Sequence, residues 1–181
     1  TLSQLEGSLP PGLHEQVDVQ DLMSQVAADA VAWSSVVSEQ TGGAHGPVHE
    51  LVFAPAPEWL LLGVWSEFLS AIKNLLSNAI RYTPLGGLIH LQWSLTPEGA
   101  VFAVKDSGPG IAAEHLPRLS ERFYRVDRSR SRETGGTGLG LAITKHVMQR
   151  HGGELRIESV VGQGATFKLC LPLSRVSNSL D

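Results

Sequence analysis

The sequence of 181 residues has few of the features that mark secreted or membrane-spanning proteins. Its one cysteine, Cys170, cannot form an internal disulfide, which excludes a disulfide-stapled scaffold. No apolar run approaches the roughly 18–20 residues needed to cross a bilayer, and residues 1–4 have neither the basic nor the apolar region of a signal peptide. With 14 basic and 18 acidic residues, the formal charge of −4 argues against broad nucleic-acid coating. We therefore expect a soluble domain from a reducing compartment.

The composition allows a folded core, because 42% of the residues are hydrophobic and only 18% are charged. The spacing of apolar residues predicts helices over 19–40, 65–82, 113–119 and 138–150, the first capped by Asp18. It predicts strands over 48–53, 59–62, 88–95, 100–106, 154–159 and 165–171. Residues 1–16, with a Pro10-Pro11-Gly12 break, and residues 174–181 are predicted to be tails.

Two asparagines mark the helix predicted over 65–82. Asn74 and Asn78 are four residues apart, so both amides project from the same helix face. An amide oxygen is a suitable ligand for Mg²⁺ that also holds phosphates and water. Taken alone, the pair is more simply explained as a solvated polar stripe.

Two glycine-rich loops strengthen the case for a nucleotide site. The first, Asp106-Ser107-Gly108-Pro109-Gly110-Ile111, follows a predicted strand and offers a carboxylate to an amino group such as that of adenine; an ordinary turn is the alternative. The second, residues 135–141 (GGTGLGL), runs into a helix whose N-terminal N–H groups suit phosphate, although a lid hinge is possible. It lacks the Gly-Lys-Ser/Thr of a P-loop and the preceding strand of a Rossmann fold.

The segment between the loops is rich in arginine. Arg118, Arg122, Arg125, Arg128, Arg130 and Arg132 are six of the 14 basic residues of the chain. Such a local concentration in an acidic protein favours a compact polyanion such as a triphosphate. A solvated basic face and contact with nucleic acid are the alternatives. One nucleotide cannot use six arginines, so some must serve lid solubility or a protein partner.

In chain order, the asparagine helix, D-S-G-P-G-I, E-R-F-Y-R and G-G-T-G-L-G-L together resemble the catalytic ATP-binding domain of sensor histidine kinases. The longer run over residues 121–153 looks most like the phosphate-regulon sensor kinases of bacteria. The resemblance implies an α/β fold, a two-layer sandwich in which a mixed β-sheet packs on three helices. It implies a catalytic domain over 17–173, preceded at 1–16 by the end of a helical hairpin or linker and followed at 174–181 by a flexible tail.

The resemblance also implies roles for individual residues. Asn78 matches the Mg²⁺ ligand and Asn74 its companion on the same helix, and the implied catalytic residues are Asn74 and Arg125. Nucleotide-binding positions are implied at Asn74, Asn78, Arg81, Tyr82, Asp106, Gly108, Gly110, Ile111, Phe123, Arg125, Gly136, Thr137, Gly138, Leu139, Gly140, Leu141 and Thr166.

Several of these positions have a specific implied contact. Tyr82 lines the adenine, Asp106 reads its amino group, and Thr166 is a polar residue near the base. Arg125 contacts phosphate, and Arg81 stands where the family often has lysine, which keeps the charge but changes its geometry.

Kinases of this type transfer the γ-phosphoryl group of ATP to a histidine on a dimerisation hairpin. Neither His49-Glu50 nor His14-Glu15 is followed by the Arg-Thr-Pro of the acceptor motif, so we expect the acceptor to lie upstream of this chain. Val64 departs from the aspartate of many members, with little effect expected on nucleotide chemistry. The implied partners are the protein's own hairpin and a response regulator, with no nucleic acid. The implied location is the cytoplasmic side of an inner-membrane protein, attached through absent segments.

Two other functions remain open from the sequence. One is a standalone ATPase of the gyrase–chaperone kind, against which Asn74 argues because an amide cannot act as the general base that activates water. The other is a non-catalytic nucleotide-sensing or docking module that uses an apolar surface around Trp33, Trp59 and Trp65, which are more simply explained as core residues.

Overall fold

The computed structural model describes residues 9–40, 48–126 and 137–178. Within these ranges the α-helices are α1 (Val19–Gln40), α2 (Trp65–Tyr82) and α3 (Gly140–Arg150). The strands are β1 (Gln16–Asp18), β2 (Glu50–Phe53), β3 (Leu60–Leu62), β4 (Leu88–Thr96), β5 (Gly99–Asp106), β6 (Glu154–Ser159), β7 (Ala165–Pro172) and β8 (Val176–Ser177). The segment predicted as a helix over 113–119 contains only a short 3₁₀ helix, Leu116–Arg118.

The main sheet has the strand order β2-β4-β5-β7-β6. Strands β2 and β4 are parallel, and the other neighbours are antiparallel. Alternate residues of β4 and β5, such as Leu91 and Phe102, are fully buried in one core with the apolar faces of the three helices. The predicted two-layer α/β sandwich with a mixed sheet on three helices is therefore confirmed.

The helix ends follow local sequence signals. Asp18 Oδ1 accepts hydrogen bonds from the backbone N–H groups of Gln20 (2.7 Å) and Asp21 (3.0 Å), so the predicted cap of α1 is confirmed. At the end of α3, Gly152 adopts a left-handed φ of 75°, and Gly153 N–H donates to the Met148 carbonyl at 2.8 Å. This is a Schellman ending, which glycine permits at low cost.

A second, small sheet joins the strand predicted over 59–62, which is β3, to two strands outside the predicted set, β1 and β8. Its order is β1-β3-β8, with both pairs antiparallel. The prediction of a flexible tail from residue 174 is thus wrong for residues 174–177, because Leu173–Arg175 forms a 3₁₀ helix and β8 pairs with β3. Residues 1–8 and 179–181 of the two predicted tails lie outside the described ranges.

Arg175 ties this edge of the molecule together. Its side chain is 9% exposed, and its guanidinium donates to the carbonyl oxygens of Pro11 (2.9 Å), Gly12 (3.0 Å), Leu62 (3.2 Å) and His151 (3.2 Å). The approach to β1 is therefore fixed on the domain by a buried cation. Among the described residues, no helix combines the length and apolar character needed to cross a membrane.

Candidate nucleotide-binding site

A cavity of about 510 Å³ opens between the C-terminal half of α2 and the N-terminus of α3. The end of β5 and the start of β7 form its floor. It is lined by Asn74, Ser77, Asn78, Arg81, Tyr82, Asp106, Pro109, Gly110, Ile111, Leu119, Tyr124, Arg125, Val126, Thr137, Gly138, Gly140, Leu141, Ala165 and Phe167. Its size and its mixture of apolar walls with a few polar groups are typical of small-molecule sites.

The asparagine face of α2 forms one wall. Its apolar residues, among them Leu75 and Ile80, are buried in the core, which turns Asn74 and Asn78 towards the cavity. Asn74 Nδ2 is buried without a hydrogen-bond partner among the described residues. A buried polar group in this state normally has a ligand or water as its partner, so the wall fits a bound polar group.

Asp106 closes the opposite end of the cavity. It is 8% exposed at the end of β5, and its Oδ1 accepts hydrogen bonds from Gly108 N–H (2.9 Å) and Ala165 N–H (3.3 Å). Its Oδ2 has no hydrogen-bond donor within the described parts of the chain. Burial raises the pKa of Asp106 above its usual value, although the two N–H bonds oppose this. The carboxylate is thus fixed by one oxygen and offers the other to a donor in the cavity.

The Asp106 loop requires its glycines. A Cβ at Gly110, which has a φ of 72°, would lie 2.2 Å from the Val160 carbonyl oxygen. A Cβ at Gly108 would lie 2.9 Å from Asp106 Oδ1. The backbone can therefore pass close to the cavity floor only without side chains at these positions.

The second glycine segment leads into the N-terminus of α3. Gly138 has a φ of 71°, and its carbonyl accepts a hydrogen bond from Phe123 N–H at 3.0 Å. Gly140 lies against Asn74, whose Oδ1 would be 3.4 Å from an added Cβ. Leu139 N–H donates to Thr137 Oγ1 at 3.4 Å. The start of the helix thus faces the asparagine wall, an arrangement suited to an anion.

Most of the predicted site residues come together here. The cavity lining includes Asn74, Asn78, Arg81, Tyr82, Asp106, Gly110, Ile111, Arg125, Thr137, Gly138, Gly140 and Leu141. Gly108, Phe123 and Leu139 lie beside the lining and contact it through the backbone. Gly136 and three of the six arginines, Arg128, Arg130 and Arg132, lie outside the described residues.

The prediction for Thr166 is wrong. Successive residues of a strand point to opposite faces of the sheet, and its neighbours Ala165 and Phe167 line the cavity. Thr166 is paired across the sheet with Lys105 and Glu158 on the other face. The sheet therefore separates Thr166 from the cavity.

Sequence reasoning missed several lining residues, including Ser77, Leu119 and Tyr124. Ser77 lies three residues after Asn74 on the same helix face, a spacing that would have indicated it. Tyr124 stands between the two predicted residues Phe123 and Arg125.

The histidines followed by glutamate are not suited to accept a phosphoryl group in this fold. His49 is 3% exposed, with Nδ1 at 2.9 Å from Ser34 Oγ and Nε2 at 2.9 Å from the Thr83 carbonyl oxygen. Both of its ring nitrogens are therefore engaged within the fold. His14 is exposed near β1 and does not line the cavity.

Comparison with known proteins places this geometry in context. Residues 64–175 match the family described as histidine kinase-, DNA gyrase B-, and HSP90-like ATPases. The phosphate regulon sensor protein PhoR of Pseudomonas aeruginosa is 45% identical over 166 residues, which cover 92% of this chain and 35% of the relative. The sensor-like histidine kinase SenX3 of Mycobacterium tuberculosis is 39% identical over 150 residues, or 83% of this chain and 36% of the relative. The chain thus spans about a third of the length of these curated relatives.

Solved structures show the same fold. The ATP-binding domain of PrrB from Mycobacterium tuberculosis superposes with a TM-score of 0.64 at 25% identity, covering 89% of this chain and 98% of that one. Full-length ShkA in complex with AMPPNP has a TM-score of 0.70 at 27% identity, covering 94% of this chain and 33% of that one.

Proposed function

This chain belongs to the family of histidine kinase-, DNA gyrase B-, and HSP90-like ATPases, and we propose that it is the catalytic domain of a phosphate-responsive sensor histidine kinase. Its activity is transfer of the γ-phosphoryl group of ATP to a histidine on a separate dimerisation hairpin. The observation that carries this proposal is one cavity joining a backbone-fixed aspartate, an asparagine wall and a glycine-rich helix start. The 45% identity to a phosphate regulon sensor protein supports the sensing role.

The chain's own residues can perform each part of nucleotide binding. Asp106 Oδ2 accepts a hydrogen bond from the amino group of adenine, and the Tyr82 and Ile111 side chains line the same cavity. The N–H groups around Gly138 and Gly140 bind phosphate oxygens, with Arg125 as the cationic side chain.

The asparagine wall fits Mg²⁺. The Asn78 amide oxygen is a ligand of the type that Mg²⁺ accepts alongside phosphates and water, and Asn74 lies one turn away. Bound there, Mg²⁺ would supply positive charge to neutralise the phosphate oxygens. The Asn78 amide oxygen would hold the ion with Asn74 beside it, and the Asn74 Nδ2 group, which is buried without a partner among the described residues, could donate to a bound water or phosphate.

The cavity is built for transfer to another nucleophile and not for hydrolysis. Among the described lining residues, Asp106 is the one carboxylate, and its Oδ1 is occupied by backbone N–H groups. Asn74 cannot take a proton from water. We therefore rank the gyrase–chaperone type of ATPase below the kinase.

The remaining parts of the machinery are proposed to lie in a longer protein. We propose that the catalytic domain spans residues 17–177 and that residues before it connect to the dimerisation hairpin, which also docks a response regulator. We propose that this longer protein is anchored in the inner membrane, with the catalytic domain on its cytoplasmic side.

The deciding experiment mixes this chain with γ-labelled ATP, Mg²⁺ and a separately produced acceptor hairpin of a phosphate regulon sensor kinase. The expected product is acid-labile phosphohistidine on the hairpin, absent with Asn78→Ala and retained with the exposed control His14→Ala. Rapid phosphate release without transfer would assign a hydrolase instead. Tight ATP binding with neither product would assign a nucleotide-sensing module.

A further inference from the structure

The Tyr124 side chain forms part of the cavity wall and is held by two residues that do not line the cavity. Tyr124 Oη lies 2.5 Å from His115 Nδ1 and shares a hydrogen bond with it. The Arg118 guanidinium lies 4.3 Å from the centre of the Tyr124 ring, within range of a cation–π contact. With its hydroxyl bonded and its ring covered, the tyrosine is restricted to one orientation.

The two holding residues are themselves fixed by local contacts. His115 N–H donates to the Ala112 carbonyl, and the His115 carbonyl accepts from Arg118 N–H, both at 3.0 Å. The Arg118 guanidinium forms an ion pair with Glu121 at 3.3 Å. Tyr124 N–H donates in turn to the Glu121 carbonyl, also at 3.3 Å. Backbone and side-chain contacts therefore converge on Tyr124 from the same short segment.

The residue before Tyr124 has a strained backbone, so the contacts around it must stabilise that conformation. Phe123 has a φ of 62°, a left-handed conformation that is costly for a residue with a side chain, and its ring is 70% exposed. Burial of the ring therefore does not compensate the strain. The hydrogen bond from Phe123 N–H to the Gly138 carbonyl holds one side, and the contacts of Tyr124 hold the other. Arg125 follows directly and lines the cavity.

We propose that His115 and Arg118 are positioning residues for the nucleotide site. They fix the Tyr124 ring and, through the backbone, place Arg125 where it reaches the phosphates, without touching the nucleotide themselves. This inference rests on the proposed function. It predicts that loss of the hold weakens phosphate recognition more than recognition of the base, because Asp106 is fixed independently by Gly108 and Ala165.

The test measures the affinities of wild type, Tyr124→Phe, His115→Ala and the double variant for Mg-ATP and for adenosine, by calorimetry. Tyr124→Phe removes a single oxygen atom, so the fold is retained. We expect each single variant to bind ATP about 3–10 times more weakly, the range for one lost hydrogen bond, and adenosine less than about twofold more weakly. The double variant should match the weaker single variant, since both changes break the same bond.

Two further variants separate positioning from a general structural role. His115→Asn keeps a polar group near the position of Nδ1 and should restore most of the ATP affinity. His14→Ala, a change at an exposed histidine away from the cavity, should leave both affinities unchanged.

Equal losses for ATP and adenosine, multiplying losses in the double variant, or wild-type ATP affinity in Tyr124→Phe would each overturn the positioning role. A wild-type chain that binds no ATP would overturn the proposed function instead, so the two failures are distinguishable.

Discussion

The two ends of the α2–α3 helix pair differ in how completely their buried polar groups are hydrogen-bonded. At the cavity end, Asn74 Nδ2 is buried without a partner and Gly140 approaches it closely. At the other end, Glu67 binds the Arg150 guanidinium through two hydrogen bonds of 3.1 and 3.2 Å, and Arg175 donates to four carbonyl oxygens. The end where Glu67, Arg150 and Arg175 are hydrogen-bonded, called the saturated end, stabilises the helix pair. The cavity end keeps polar groups available for a ligand. Stability and binding should therefore respond separately to mutation.

The largest effect is expected from breaking the saturated end with Arg175→Met. Four carbonyl oxygens would lose their donor, and we expect the free energy of unfolding to fall by about 3 kcal/mol. ATP affinity, measured well below the unfolding transition, should stay within about twofold of wild type. Urea unfolding and calorimetry measure the two quantities.

The matched control for Arg175 is Arg156→Met. Arg156 pairs with Glu154 on the sheet surface, with 61% of its side chain exposed, so its removal should leave the free energy of unfolding close to that of the wild type. Equal losses from the two arginine variants would show that the buried guanidinium contributes no more than a surface pair.

The cavity end is tested by Asp106→Asn, which should lower ATP affinity and leave the free energy of unfolding unchanged. The asparagine oxygen can still accept hydrogen bonds from the N–H groups of Gly108 and Ala165. The Oδ2 that faces the cavity is replaced by an NH₂ group, which donates and cannot accept. We expect ATP affinity to fall about 10–100-fold, as for the loss of a bond to a charged group.

The unfolding free energy of Asp106→Asn should not fall, because burial raises the pKa of this carboxyl and its charged form is therefore disfavoured by folding. A variant that loses stability together with affinity would contradict the separation of the two ends. A separate effect follows for the wild type. As the pH drops through the raised pKa of Asp106, the carboxylate becomes protonated and is a poorer acceptor, so ATP affinity should fall.

The pH dependence of stability should come partly from His151 at the saturated end. Its ring is fully buried, Nδ1 donates to the Val147 carbonyl at 2.8 Å, and Nε2 accepts from Val64 N–H at 3.4 Å. Burial lowers the pKa of His151, so the unfolded chain binds the proton more readily. Stability should therefore be complete above about pH 6.5 and fall by up to roughly 1.4 kcal/mol per pH unit below it.

His151→Gln isolates that contribution, because glutamine does not titrate. Unfolding by urea at several pH values between 7.5 and 5 should show a shallower loss for the variant than for the wild type. Parallel curves would assign the acid sensitivity to other groups.

The smallest effect is expected at the start of α2. Val64 occupies the N-cap position but makes no side-chain cap hydrogen bond. Val64→Thr has nearly the same shape and adds an oxygen that can accept a free N–H of the first turn, so the unfolding free energy should rise by about 0.5–1 kcal/mol. The same change at Val160, an exposed turn residue, should give no gain; equal effects at both sites would contradict the capping explanation.

The long elements could be predicted because their signals are local. The bounds of α2 match its apolar arc from Phe68 to Ile80, and Asp18 caps α1 as its position indicates. In the small sheet, the apolar run over 59–62 indicated β3, but its partners β1 and β8 could not be predicted, because strands of two or three residues carry no periodicity. Its pairing joins Leu61 to Val176, positions that are remote in sequence.

The site shows the same limit. Asn74, Asn78 and Asp106 belong to local motifs, and the cavity brings them together as expected. Thr166 was misplaced because a one-residue step along a strand reverses the face of the sheet. The contact between His115 and Tyr124 depends on how the turns after β5 fold back, for which the sequence has no simple signal.

The long-range closure made by Arg175 has a consequence for the order of folding. The β4–β5 and β6–β7 hairpins form between neighbours in the chain. The hydrogen bonds of the Arg175 guanidinium can form only after Pro11 and His151 have been brought together. Contacts of such sequence separation form late when loop closure is costly. If the full loss of about 3 kcal/mol falls on the unfolding rate, Arg175→Met should accelerate unfolding roughly 100-fold while leaving the refolding rate nearly unchanged, which stopped-flow kinetics would measure. The contacts of Arg175 would then slow unfolding without changing the folding rate, so they would set the lifetime of the folded domain.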